Sequence, residues 1–190
     1  MYNNDLPPAI QTTGWKDNIN VFFMNAKGKG YDEPTWEDMG NGLFAMRFDV
    51  GNELFFMFHV NHDYKIGTQS FPHIHWCSNA IINIGESLVW HLNFTVARGY
   101  NQGDSLIKPT TEIDITFTAD QTIQPGVHQI AEASVADSVD LIEPDVLMLG
   151  RARLTSKTMA GDVYGFLVDL HYQSNRDHTP NKNFPFYGGS

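Results

Sequence analysis

The chain has 190 residues, 42% of them hydrophobic and 13% aromatic, with a formal net charge of −10. That is one domain's length, enough for a real core and too apolar for a disordered chain. Its twelve Lys and Arg are scattered, so the surface repels phosphate backbones and no nucleic-acid partner is expected.

The single cysteine, Cys77, excludes an intrachain disulfide and a cysteine-rich zinc site. No run approaches the roughly 18 apolar residues of a membrane span, and no membrane partner is expected. Residues 1–8 are polar, so no signal peptide is expected, and a reducing cytoplasm is the expected place of synthesis.

Residues 1–42 are rich in Asn, Gly and Pro and carry Trp15, Phe22, Phe23 and Trp36. They read as an N-terminal arm with aromatic anchors, in which residues 35–38 could form one helical turn. From Leu43 the period is two. Phe44, Met46, Phe48 and Val50 alternate with Ala45, Arg47 and Asp49, and Gly51–Asn52 supplies a turn. Strands follow at 54–60, 71–77, 87–98, 113–117, 127–135, 146–154 and 164–172. Pro or Gly stands in the connections at Gly103, Pro109, Pro125, Pro144 and Gly161. No segment keeps a helical period over three turns.

The expected fold is therefore all-β: a two-sheet jelly-roll-like sandwich of about eight strands with extended N- and C-terminal arms. The sandwich domain spans 43–173 and the C-terminal arm 174–190. Alternation places Phe44, Phe48, Phe56, Phe58, Trp90, Leu92, Phe94, Ile115, Phe117, Phe166, Val168 and Leu170 in the core. The last arm ends in Phe184, Phe186 and Tyr187. These aromatics, with Trp15 and Trp36, either pack back on their own subunit or dock on a neighbour. Both readings rest on the same aromatic burial.

The segment Phe71–Pro72–His73–Ile74–His75–Trp76 carries the chief chemical signal. On a strand, His73 and His75 share one face and Ile74 and Trp76 the other. Gly67 gives a Gly-x5-His-x-His spacing, which looks like the first half of a cupin metal motif. The pattern then departs, because Asn79 and Ala80 stand where a glutamate belongs. His91 and His171 lie on polar strand faces and offer further imidazoles, but sequence cannot place them beside His73. A metal usually needs three or four ligands, so none is expected; if one binds, His73 and His75 hold it. Otherwise these histidines belong to a polar layer or an interface. Asp114 and Asp169 lie on strands where each could pair with a His or Arg. Cys77 shares the face of His73 and His75, which allows a Cys–His nucleophile pair, but a lone strand cysteine is more often a small core residue. There is no Gly-x-Ser-x-Gly elbow and no phosphate-binding Gly loop. No catalytic residue and no cofactor are expected.

Four segments resemble a family of tailed-bacteriophage proteins. They are Phe71–Trp76, Val89–Phe94, Gly161–Tyr172 and Thr179–Tyr187, spread over residues 71 to 187. The resemblance implies a virion component assembled in the bacterial cytoplasm and assigns no catalytic residue. Expected partners are further copies of the chain, as a homotrimer, and the major capsid protein or other virion proteins. The leading expectation is a capsid decoration or cement protein. The alternatives are a tail, neck or fibre component, and a cupin-like metal-dependent enzyme.

Overall fold

A computed structural model describes residues 14–17, 21–22, 30–40, 42–61, 63–98, 111–140 and 146–174. Twelve strands run through these residues. They are β1 (Gly14–Asp17), β2 (Val21–Phe22), β3 (Thr35–Asp38), β4 (Phe44–Phe48), β5 (Glu53–His59) and β6 (Gln69–Ser78). β7 (Ser87–Arg98), β8 (Thr111–Thr118), β9 (Gln129–Glu132), β10 (Val139–Asp140), β11 (Val146–Lys157) and β12 (Val163–Ser174) follow. All eight expected strands are present, as β4 to β9, β11 and β12. The other four are short. Residues 35–38 pair with β4 as an edge strand rather than forming a helical turn, with Trp36 opposite Met46.

The pairings define a jelly roll. One sheet has the order β4-β12-β6-β9 and the other β5-β11-β7-β8, all antiparallel. Each successive strand from β4 to β8 thus changes sheet or returns by a hairpin, as two interlocked Greek keys require. The short strands extend the first sheet. β3 adds to β4, β10 adds to β6, and β1 and β2 line the far side of β12.

The core lies between the sheets and is aromatic. Phe48 of β4 meets Trp90 of β7 edge-on at 4.9 Å, and Trp76 of β6 meets Phe117 of β8 at 5.0 Å. Ile74, Leu88, Leu92, Phe94, Ile115, Val168, Leu170 and Tyr172 fill the space around them. Edge-on pairs of this kind add about 0.5–1.5 kcal/mol each beyond the area they bury. Phe48, Phe56, Trp90, Leu92, Phe94, Ile115, Val168 and Leu170 thus face inward as their alternation requires, and Phe117 is partly buried against them.

Two expected core residues lie elsewhere. Phe44 starts β4 at the sheet margin and is 52% exposed. Phe166 sits in a β-bulge, where the pairing of β12 with β6 jumps from Gly165–Trp76 to Leu167–His75. The extra residue breaks the period of two. Val163 before the bulge and Val168 after it both point inward, whereas Phe166 packs beside Tyr164, Ala45 and Cys77 in a separate cluster.

Candidate functional site: a histidine and carboxylate cluster on the first sheet

β6 is the spine of the site. Ile74 and Trp76 go to the core, so His73 and His75 stand on the opposite, outer face of the first sheet. Neighbouring strands bring further polar groups to the same place through their register. Asp169 of β12 is the direct partner of His73, and Glu132 of β9 is its partner on the other side. The bulge at Phe166 sets the phase of β12 so that Asp169 and His171 both face outward while Val168, Leu170 and Tyr172 face the core. His128 arrives from the turn before β9.

The geometry is close. His73 and His171 stack at 4.0 Å between ring centres, and His73 and His75 lie 4.9 Å apart. Nε2 of His73 is 3.9 Å from Oδ2 of Asp169, and Nδ1 of His73 is 3.3 Å from the Phe71 carbonyl. Nδ1 of His75 and Nε2 of His128 are 2.7 Å apart. His171 and Glu132 form a hydrogen-bonded pair through Nδ1 and Oε1. Asp169 accepts a 2.6 Å hydrogen bond from the Leu170 amide. His73, Asp169 and His171 are all buried. Desolvation holds the His128 imidazole below the usual histidine range.

Two groups of three have their ligating atoms within 4.8 Å of one another: His73, His75 and Asp169, and His73, Glu132 and His171. The reason for expecting no metal was an incomplete ligand set around His73 and His75. The fold removes that reason, because it gathers two carboxylates and two further imidazoles around the pair. Four imidazoles and two carboxylates can bind a transition-metal ion or relay a proton.

His91 is not part of this cluster. It lies on β7 in the second sheet, where its Nδ1 is 2.8 Å from Oδ1 of Asp114, its register partner on β8. Cys77 shares the outer face with His73 and His75 but packs with Ala45 and Tyr164. Burial pushes its thiol up to about 11, which opposes a thiolate nucleophile. Trp36 is 45% exposed and stacks on Phe44 at 6.0 Å with 16° between the rings. The backbone of Trp15 pairs with Gln173. Phe184, Phe186 and Tyr187 lie outside the described residues.

Sequence reasoning found His73, His75 and His171 and raised Asp169 as a partner for a His or Arg. It missed Glu132. The signal was available, since Ala131 alternates with Ile130 and Glu132 on β9, but that strand is too short and polar to fix its phase.

The fold and site therefore define a jelly-roll domain whose outer sheet face carries a histidine and carboxylate cluster, buried at His73, Asp169 and His171. No family model matches the chain, and no curated protein matches it. Among solved structures it is similar to a family 36 carbohydrate-binding module in complex with calcium and xylotriose. That likeness has 12% identity over 82% of this chain and 98% of the other, with a TM-score of 0.39. A family 30 module of a cellulosomal cellulase of Clostridium thermocellum follows, at 14% identity, 76% and 84% coverage and a TM-score of 0.34. A further family 30 module gives 12%, 93%, 97% and 0.33. Likeness at this level carries no functional content.

Proposed function

We propose that the chain is a non-catalytic structural component of a tailed-phage particle, a homotrimeric decoration or cement protein that bridges neighbouring subunits of the head. The observation that carries this reading is the margin of the first sheet. β3 is the last strand on its side, so its outer backbone edge has no partner strand among the described residues. Beside that edge stand Trp36 and Phe44, stacked and about half exposed, with Tyr31 and Leu43 more exposed still. Large apolar groups clustered beside a sheet edge invite another chain. In a lattice a neighbouring subunit covers it, and closed symmetry repeats the contact. The resemblance over residues 71–187 supports the same reading.

The test is binding of the purified chain to heads that lack it, with a Trp36→Ser and Phe44→Ser double variant as comparison. Burying one such aromatic contributes roughly 2–3 kcal/mol, so the double variant is expected to lose at least about 100-fold in affinity while keeping its β-rich circular dichroism. Sedimentation is expected to give a trimer. Undiminished binding of the double variant, or location of the protein only on tails in images of the particle, overturns the reading.

A second reading is a tail, neck or fibre component that contacts host glycans. It draws on the same pair: two nearly parallel rings form a flat face, with Asp38 on the same side of the short strand as Trp36. Saturable quenching of tryptophan fluorescence by oligosaccharides, lost in the double variant, distinguishes it from head decoration.

A further inference from the structure

We propose that His73, His75 and Asp169 hold one divalent transition-metal ion of the zinc class on the outer face of the first sheet. The proposal stands on the geometry of the cluster, whichever particle or partner the chain serves.

The three ligating atoms already lie within 4.8 Å of one another. A tetrahedral zinc with bonds of about 2.0–2.1 Å spaces its ligand atoms roughly 3.4 Å apart. Nε2 of His73 and Oδ2 of Asp169 stand at 3.9 Å, so small side-chain rotations close the site. The ligands come from two strands in direct register, His73 opposite Asp169, and an ion there ties β6 to β12.

The surroundings orient these ligands. A carbonyl accepts and never donates, so the contact of His73 Nδ1 with the Phe71 carbonyl puts the proton on Nδ1. The Nε2 lone pair then faces Asp169. One carboxylate oxygen of Asp169 is fixed by the Leu170 amide, and the other turns to His73. His75 meets His128 through Nδ1; donation from that nitrogen leaves Nε2 as the ligating atom. Outer partners of this kind fix tautomer and ring orientation in metal sites. The Glu132–His171 pair adjoins the site, stacked on His73, and its carboxylate offsets the charge that a dication and one aspartate leave over.

Two imidazoles and one carboxylate favour zinc, cobalt or nickel over calcium and magnesium, which take oxygen ligands. Three protein ligands leave a fourth position for water.

The experiment uses the full chain purified without an affinity tag, stripped with a chelator and reloaded with zinc or cobalt chloride. Elemental analysis is expected to give about one ion per chain, and cobalt to give the intense visible absorption of a tetrahedral site. With free ion about 100-fold above Kd, Tm is expected to rise by roughly 5–10 °C. His73→Ala and Asp169→Asn are expected to abolish loading, and His91→Ala, on the other sheet, to leave it intact. Should His73→Ala not fold, His75→Gln with unchanged circular dichroism makes the same comparison. No stoichiometric ion in the folded, reloaded chain overturns the proposal. So does full loading of Asp169→Asn together with loss in Glu132→Gln, which moves the ion to the neighbouring triad.

Discussion

Gly150 shows how much one missing side chain can decide. It lies on β11 between two register partners, Phe56 of β5 and Phe94 of β7, both buried. A Cβ built there falls 2.6 Å from the Asn93 carbonyl oxygen, 2.6 Å from Cβ of Phe94 and 2.8 Å from Cζ of Phe56. Glycine lets the Phe56 ring and the neighbouring β7 chain at Asn93 and Phe94 close on the strand, and any larger residue must push them aside. Gly150→Ala is therefore expected to destabilise the domain by about 2–3 kcal/mol, read as a lower urea midpoint with an unchanged m-value. A cost within about 0.5 kcal/mol would mean that β11 shifts freely and that this packing is loose.

At the scale of elements, two polar clusters join strands to their surroundings, and their magnitudes differ. Asp63, in the turn before β6, accepts hydrogen bonds from Tyr172 Oη and Ser174 Oγ, each at 2.9 Å, at the end of β12. Both donors belong to buried residues. Asp63→Ala removes the acceptor for both hydroxyl protons and is expected to cost about 2–4 kcal/mol. Arg47 of β4 instead reaches Glu37 of β3 at 2.5 Å, Asp49 at 2.9 Å and Asp162 at 3.8 Å, all at partly exposed carboxylates. Surface pairs contribute little, so Arg47→Met is expected to cost less than about 1 kcal/mol and to lose even that at high salt. Chemical denaturation of the two variants gives the comparison, and a larger cost for Arg47→Met reverses it. The same contrast explains what was legible in the sequence. Strands read correctly wherever apolar residues alternate on a half-buried sheet, as at Ile113–Phe117 and Leu88–Val96. Phe44 read wrongly because alternation fixes a face and not a distance from the sheet margin. Phe166 read wrongly because a bulge leaves no mark in a period-two pattern. The cluster was half visible for the same reason. His73 and His75 announce themselves on one strand, whereas Glu132 and Asp169 join them through cross-strand register, which alternation does not encode.

For the whole molecule, the jelly-roll order makes most pairings distant in sequence. β4 finds β12 through Phe48 and Val163, and β5 finds β11 through Glu53 and Arg153. Among the pairings of the described residues, only β3 with β4 and β7 with β8 join strands that follow one another in the chain. Loop-closure entropy must be met before such contacts form. Refolding from urea, followed by tryptophan fluorescence through Trp76 and Trp90, is expected to take milliseconds to seconds or longer. A microsecond phase carrying the full amplitude would contradict the topology.

The bulge at Phe166 also sets the reading frame of β12 with respect to its two faces. Everything after it, from Val168 to Tyr172, is in phase with the core only because one residue is looped out of the ladder. Substituting Phe166 changes one side chain. Removing it, or adding a neighbour, inverts the strand beyond it, turning Asp169 and His171 into the aromatic interior and Val168, Leu170 and Tyr172 away from it. This strand therefore tolerates a change of composition far more readily than a change of length, and the number of residues between Tyr164 and Asp169 decides which face the cluster occupies.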